Sequence, residues 1–130
     1  MLIEFHNEWI YEFLDCKKES CFRNILASLV GGECEVCVGI LTIDILVRRN
    51  NQKIAIEVKY LRNRREFYRG IGQALAYKVV LGLPTILVQF YDTIDDYIIN
   101  ALMRLVTELP IDIVVGDLAK KRFIILHHHG

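Results

Sequence analysis

The segment GILTIDILVRRNNQKIAIEVKY, residues 39–60, decides the fold because it reads as two β-strands joined by a tight turn. Residues 40–48 and 53–60 are rich in Ile and Val, which favour strands. Asn50 and Asn51 separate them, and Asn tolerates the left-handed backbone that a two-residue hairpin turn requires. The segment therefore predicts an antiparallel hairpin with a defined register.

This register places Asp44 directly opposite Glu57. Because side chains alternate along a strand, Asp44, Glu57 and Lys59 are expected on one face of the hairpin. The other face is then wholly apolar: Leu41, Ile43, Ile45, Val47, Ile54, Ile56, Val58 and Tyr60. Directly opposed like charges are destabilising, and a magnesium or manganese ion held by the two carboxylates would relieve this. The alternative is a solvent-facing surface on which the same residues form ordinary ion pairs.

The rest of the chain predicts helices and further strands around this hairpin. Periodicity and end signals predict helices over 5–14, 21–30, 65–81 and 94–109, and strands over 33–38, 85–91, 111–115 and 122–126. Asn7, Ser20, and Thr93 with Asp95 are the expected helix starts. The chain of 130 residues fits one domain, an α/β fold with a mixed central sheet flanked by helices.

Composition and charge exclude several classes of protein. With 53% hydrophobic and 25% charged residues, the chain is neither disordered nor fibrous. The longest uncharged run, residues 79–91, is far shorter than the roughly 20 residues of a membrane span. No signal peptide is visible, so we expect a cytoplasmic protein. Net charge is zero, but residues 48–69 hold eight basic and two acidic residues. Such a segment suits either phosphate binding or a solvated charged edge.

The hairpin residues resemble the PD-(D/E)xK nuclease superfamily. In that family an Asp on one strand is followed by Glu-x-Lys on the next, and here Asp44 is followed by Glu57-Val58-Lys59. Ile43 stands where the motif that names the family has Pro. The resemblance implies a restriction-endonuclease-like core, of order αβββαβ, within a single nuclease-like domain over residues 1–130.

A second motif lies on the helix after the hairpin. Gln73 and Tyr77 form Gln-x-x-x-Tyr, an element of the RecB-like and Holliday-junction-resolvase-like branch of this superfamily. Their i, i+4 spacing places both on one helical face. We expect Gln73 to face the carboxylate pair and Tyr77 to stack on a base or pack beside the nucleic-acid backbone.

The resemblance implies a Mg²⁺- or Mn²⁺-dependent nuclease that hydrolyses phosphodiester bonds of DNA, and it implies a homodimer. The implied catalytic residues are Asp44, Glu57, Lys59, Gln73 and Tyr77. The implied metal ligands are Asp44, Glu57, the Val58 carbonyl and an acidic residue from before the first motif strand, for which Glu19 is favoured over Glu8, Glu12, Glu33 and Glu35. The implied nucleic-acid-binding residues are Arg62, Arg64, Arg65 and Arg69, which follow Lys59. Gly70 and Gly72 permit close approach of the backbone or belong to a loop.

Four cysteines precede Asp44, and they are predicted to be free buried thiols. Their spacing, C-x4-C-x12-C-x2-C over Cys16, Cys21, Cys34 and Cys37, superficially resembles a zinc site. Cys34 and Cys37 lie on a predicted strand, where this spacing points them to opposite faces. A disulfide is the alternative if the source is a hyperthermophile. Two alternatives to the enzyme stay open: a non-catalytic nucleic-acid-binding or scaffold protein, and an interaction module built on cysteine-bound metal. The run His127–His129 is given no functional weight.

Overall fold

The computed structural model describes residues 3–128, so His129 of the terminal histidine run lies outside the described residues. The helices are α1 (Glu19–Val30), α2 (Ile71–Leu81) and α3 (Asp96–Glu108), with 3-10 helices at Asn7–Phe13 and Arg64–Glu66. The strands are β1 (Glu33–Val38), β2 (Leu41–Arg49), β3 (Gln52–Leu61), β4 (Thr85–Tyr91), β5 (Asp112–Asp117) and β6 (Arg122–Leu126).

The six strands form one mixed sheet in chain order, β1 to β6. The β3, β4 and β5 strands are parallel, and every other neighbouring pair is antiparallel. Helices α2 and α3 pack on one face, whereas α1 and the first 3-10 helix pack on the other. The predicted α/β class and the order αβββαβ are confirmed. Among the described residues, no helix has both the length and the apolar character of a membrane span.

The hairpin turn and its register are also as predicted. Asn50 and Asn51 have φ angles of 52° and 63°, the left-handed backbone that the turn requires. The β2–β3 ladder pairs Ile45 with Ile56, which is the register that aligns Asp44 with Glu57. The turn chemistry of two Asn residues is therefore enough to set the alignment of the two acidic positions.

The predicted alternation of β2 is wrong at Asp44. Ile43 and Ile45 were expected on one face, but Ile43 packs against Tyr77 of α2 and Ile45 packs on the α1 side. The cause is a local break in the β1–β2 ladder, in which Glu35 has φ of 54° and does not pair with Asp44. On this side Glu57 is buried against Tyr77 of α2, and Asp44 is half-buried.

Two predicted helix starts also differ from the structure. Asn7 does not cap the first helix, which is a 3-10 helix, because its side chain accepts a hydrogen bond from Phe123 N at 2.9 Å. Ser20 is not a cap either, since α1 begins after Lys18 without a side-chain cap. Asp95 does cap α3, accepting from Ile98 N at 3.0 Å.

Helix α2 begins six residues later than the predicted start at residue 65. Gly70 precedes it in a left-handed conformation, with φ of 90°. Gln89 of β4 holds the preceding segment in an irregular path, since its amide nitrogen donates to the carbonyls of Phe67 and Arg69. A side-chain contact from a distant strand therefore overrides local helix propensity here.

Candidate active site

Strands β2 and β3 separate at the level of the two acidic residues. The paired ladder ends at Ile45 and Ile56, one position before Asp44 and Glu57. Beyond it, Asp44 Oδ2 accepts a hydrogen bond from Val58 N at 3.0 Å. The carboxylate therefore replaces a strand carbonyl as the partner of a β3 amide, and this opens a gap between the strands.

The Glu57 carboxyl group is buried in this gap, with only 2% of the residue exposed. Tyr77 donates its hydroxyl proton to Glu57 Oε1 at 2.6 Å, and Lys59 Nζ lies 3.3 Å from Oε2. Burial raises the pKa of Glu57 to about 7, and the nearby Asp44 charge adds to the rise, against the Tyr77 hydrogen bond and the Lys59 charge. A further cation beside the two carboxylates would therefore favour ionised Glu57.

Glu19 reaches this region from the first turn of α1. Its Oε1 lies 3.4 Å from Lys59 Nζ, and its Oε2 accepts from Tyr60 N at 3.3 Å. Lys59 thus bridges Glu57 and Glu19, because its ammonium contacts both carboxylates. Within residues 3–128, no three His, Cys, Asp or Glu side chains come together as a metal-binding group. Glu19 is therefore a partner of Lys59 here, and its predicted role as a metal ligand stays a prediction.

The Val58 carbonyl opens toward the same gap as the Asp44 carboxylate. In a β-strand the N–H and C=O of one residue point to the same side, and Val58 N points at Asp44. The gap thus offers two carboxylates, from Asp44 and Glu57, and one carbonyl oxygen. Magnesium is commonly bound by one or two carboxylates and keeps several waters, so this donor set suits it.

Tyr77 is buried and is not an exposed stacking platform. Only 3% of it is exposed, and it packs against Ile43, Leu46 and Ala55. Its hydroxyl oxygen also lies 3.0 Å from the Thr42 carbonyl oxygen. The predicted stacking of Tyr77 on a base is therefore wrong, because a base cannot reach a ring enclosed by the core.

Gln73 lies on the exposed surface beside the site. It lines a surface pocket of about 330 Å³ together with Lys59, Tyr68, Arg69, Gly70 and Gly72. The i, i+4 spacing was expected to give Gln73 and Tyr77 a common environment. In the structure Tyr77 contacts Glu57, whereas Gln73 lines a pocket beside Lys59.

Gly70 permits the close packing that the site requires. A Cβ atom at this position would lie 2.9 Å from Lys59 Cγ and 2.7 Å from Leu87 Cδ1. Its φ of 90° is also one that other residues rarely adopt. Gly72, by contrast, has open space around its Cα. The close approach expected from the sequence is thus made at Gly70 alone, by side chains of β3 and β4.

Gln89 is a buried polar residue that the sequence reading missed. It is 0% exposed, and its amide donates to Phe67 O at 2.6 Å and to Arg69 O at 3.0 Å. Its Oε1 accepts from the Tyr91 hydroxyl at 2.8 Å. The sequence does mark this position, because Gln89 is a polar residue inside an otherwise apolar strand. Its role is to hold the segment that carries the arginines.

Arg62 and Arg69 lie on the α1 side of the site. Arg69 contacts Glu66 at 2.8 Å and Glu19 at 3.5 Å. The Arg69 hydrogen bond lowers the pKa of Glu66. Arg62 places its guanidinium 5.8 Å from the centre of the Tyr60 ring. Both arginines are therefore oriented by neighbours close to Lys59.

Arg64 and Arg65 do not join them in one cluster. Arg64 pairs with Asp95 at 3.6 Å and lies over the Tyr97 ring at 5.3 Å, which places it beside α3. Arg65 is exposed, and its backbone N donates to the Asn63 side chain. The four predicted nucleic-acid-binding arginines thus divide: Arg62 and Arg69 contact residues next to Lys59, Arg64 lies beside α3, and Arg65 is exposed.

The other acidic candidates for the metal site lie elsewhere. Glu33 pairs with Arg48, and Glu35 pairs with Arg23 at 3.2 Å. Glu8 and Glu12 are exposed on the first 3-10 helix. Of the five acidic residues predicted as possible metal ligands, Glu19 is the one whose carboxylate contacts Lys59 in the described part of the chain.

The prediction of free buried thiols is wrong, because two of the four cysteines are bonded to each other and the two free ones are not buried. Cys16 and Cys21 form a disulfide, with Cα atoms 5.6 Å apart, across the break between the first 3-10 helix and α1. Cys34 and Cys37 are free, and Cys37 is exposed. A metal module on all four cysteines is therefore excluded, because the turn before α1 brings the first pair together.

Comparisons with known proteins give one distant likeness. The chain matches no family model and no curated protein. Among solved structures it is similar to SfsA of Pyrococcus furiosus in complex with Ca²⁺, with 16% identity and a TM-score of 0.35. The similarity covers 85% of this chain, which spans 62% of the length of that one.

Proposed function

We propose that the protein is a metal-dependent nuclease that hydrolyses phosphodiester bonds of DNA. The observation that carries this proposal is the gap between β2 and β3, where Asp44 and Glu57 meet and Lys59 Nζ lies 3.3 Å from Glu57. Asp44 and Glu57 would hold Mg²⁺ or Mn²⁺ with the Val58 carbonyl. When bound, the metal would acidify a water and offset phosphate charge.

The surrounding residues fit a site of this kind. Tyr77 of α2 donates a 2.6 Å hydrogen bond to one Glu57 oxygen and so orients the carboxylate. Lys59 directs an ammonium group toward the gap, where it can donate to a phosphate oxygen and stabilise negative charge that develops there. Gly70 allows α2 to begin directly against Lys59. The roles are thus divided between holding the metal, orienting its ligand and stabilising charge.

The choice of a nucleic-acid substrate rests on the cations around the gap. Arg62 and Arg69 are held by neighbours close to Lys59, and exposed Gln73 lines a surface pocket together with Lys59 and Arg69. Cationic side chains of this kind bind backbone phosphates without reading sequence. A phosphodiester chain that passes Lys59 could therefore contact these arginines.

A cleavage assay tests the proposal. Duplex, single-stranded and branched DNA, and matched RNA, are incubated with the protein in Mg²⁺, in Mn²⁺ and in chelator. We expect metal-dependent cleavage of DNA, which Asp44→Asn and Glu57→Gln each reduce by at least about 100-fold. Glu108→Gln, an exposed substitution at the end of α3, is the matched control and should cleave as wild type does.

Two results would overturn the enzyme reading. Cleavage that Asp44→Asn and Glu57→Gln both retain would show that the activity does not come from these carboxylates. Nucleic-acid binding without cleavage of any substrate in either metal would instead support the non-catalytic binding protein. Circular dichroism of each variant separates a loss of activity from a loss of fold.

A further inference from the structure

A second pocket lies beside the candidate active site, between the start of α1 and the segment that follows β3. Its volume is about 530 Å³. The lining residues are Lys17, Lys18, Glu19, Tyr60, Arg62, Glu66 and Arg69. Four of these side chains are cationic and two are anionic, so the pocket carries a net positive charge. Asp44 and Glu57 do not line it.

Three of the four cations of this pocket are not paired with protein carboxylates. Across residues 3–128, Lys17, Lys18 and Arg62 have no acidic side chain within 4.0 Å. The two acidic residues that line it, Glu19 and Glu66, are already paired with Lys59 and Arg69. Three positive charges therefore face one concave surface, which favours an anionic ligand.

The pocket is also held in place by its surroundings. The Cys16–Cys21 disulfide closes the short segment that carries Lys17 and Lys18. Lys18 is the N-cap of the twelve-residue α1 and supplies no side-chain acceptor to the first-turn amides, so the helix end favours an anion. Arg62 is oriented by the Tyr60 ring. Less conformational freedom is then lost when a ligand binds.

Two contacts connect this pocket to the candidate active site. Glu19 lines the pocket and contacts Lys59, whose ammonium also contacts Glu57. Arg69 lines both this pocket and the neighbouring one that contains Lys59 and Gln73. A chain of phosphates that passes Lys59 can therefore place another phosphate in the cationic pocket.

We propose that this pocket, which we call the Lys17–Lys18 pocket, binds a second phosphate group of the nucleic acid and so sets where the strand lies across Asp44 and Glu57. The proposal rests on the proposed function for its substrate class. The phosphate is either a terminal monoester or an internal diester of the strand. Lys17, Lys18 and Arg62 bind it, and Arg69 links it to the active site.

Binding in chelator tests this without requiring cleavage. Fluorescein-labelled oligothymidylate with a 5′-phosphate, a 3′-phosphate or neither is titrated with the protein by fluorescence anisotropy at several salt concentrations. We expect Lys17→Ala/Lys18→Ala to weaken binding about tenfold or more and to reduce the slope of log K against log salt by about 1 to 2. Lys53→Ala/Lys120→Ala removes the same charge from exposed positions outside the pocket and is the matched control.

The three oligonucleotides distinguish the two sources of phosphate. If the pocket takes a terminal monoester, wild type prefers one phosphorylated end, and Lys17→Ala/Lys18→Ala removes that preference. If it takes an internal diester, all three bind wild type equally and all three weaken in the variant. Equal effects of the variant and its matched control would overturn the proposal, as would a wild type that binds none of the oligonucleotides.

The outcome is separable from that of the cleavage assay. A phosphate effect in a protein that cleaves nothing supports the Lys17–Lys18 pocket and rejects the nuclease. Metal-dependent cleavage with no difference between Lys17→Ala/Lys18→Ala and its control supports the nuclease and rejects the pocket. If both hold, the lengths of the cleavage products from an end-labelled strand should shift in the variant.

Discussion

Replacing Glu57 with Gln removes a buried charge but keeps the shape of the side chain, and it should stabilise the metal-free protein at alkaline pH. Glu57 is held in the gap between β2 and β3, and burial is the largest cause of its raised pKa. The Gln side chain does not titrate, and its carbonyl oxygen can still accept the hydrogen bond from Tyr77. The variant therefore isolates the effect of ionising this one buried group.

The size of the effect follows from the rise in pKa, from 4.5 to about 7. At about 1.4 kcal/mol for each pH unit, this corresponds to roughly 3 kcal/mol. Native Glu57 holds its proton more tightly than unfolded Glu57. The contribution of Glu57 to stability is therefore fully present below pH 4.5 and is lost as the pH rises through about 7. The favourable Lys59 charge is already included in this figure, because it opposes the rise in pKa.

Urea unfolding in chelator at pH 4.5 and pH 8 measures this difference. Wild type and Glu57→Gln should be nearly equal at pH 4.5, and the variant should be the more stable at pH 8. Glu66→Gln is the matched control with the opposite sign, because Arg69 lowers the pKa of Glu66 and its charge is favourable. A Glu57→Gln protein less stable than wild type at pH 8 would show that Lys59 stabilises the Glu57 charge, and the reasoning would fail.

Three further substitutions test the same site. Asp44→Asn should raise the melting temperature in chelator by about 2–4 °C and abolish the further rise that Mg²⁺ gives wild type, both measured by differential scanning fluorimetry; a variant that melts lower yet responds to Mg²⁺ contradicts this. Tyr77→Phe removes a hydrogen bond that lowers the pKa of Glu57, so the pH-dependent loss of stability should extend above pH 7 in urea titrations, and an unchanged profile would count against that contact. Gly70→Ala should destabilise by about 1–3 kcal/mol in urea because of its left-handed backbone and crowded Cβ, whereas Gly72→Ala should be neutral or stabilising by up to about 1 kcal/mol; equal effects would refute the packing argument.

Local sequence signals were enough for the hairpin and the order of elements. Asn50 and Asn51 set the turn, and the turn set the register that aligns Asp44 with Glu57. Strand β4 was predicted from a continuous apolar run. A strand that is buried on both faces does not alternate polar and apolar residues. These features depend on residues close in sequence, which is why they could be predicted.

The environment of the site could not be predicted in the same way, because it depends on contacts between distant residues. Tyr77 was expected to stack on a base or pack beside the nucleic-acid backbone, but it is buried and its hydroxyl donates to Glu57. Gln89 of β4 hydrogen-bonds the segment before Gly70. This contact arises only once β4 lies beside β3. Cysteine spacing alone likewise could not reveal that the turn before α1 brings Cys16 and Cys21 together.

The gap between β2 and β3 also matters for how the chain avoids aggregation. A strand edge with unpaired amides can recruit a strand from another molecule. Here Asp44 and Glu19 occupy the amides of Val58 and Tyr60 with carboxylates, and inward-pointing charges discourage such pairing. An alanine at Asp44 would remove this protection together with the proposed activity. Asparagine retains an acceptor for the Val58 amide. It therefore tests the role of the Asp44 charge in cleavage without leaving an unpaired strand amide.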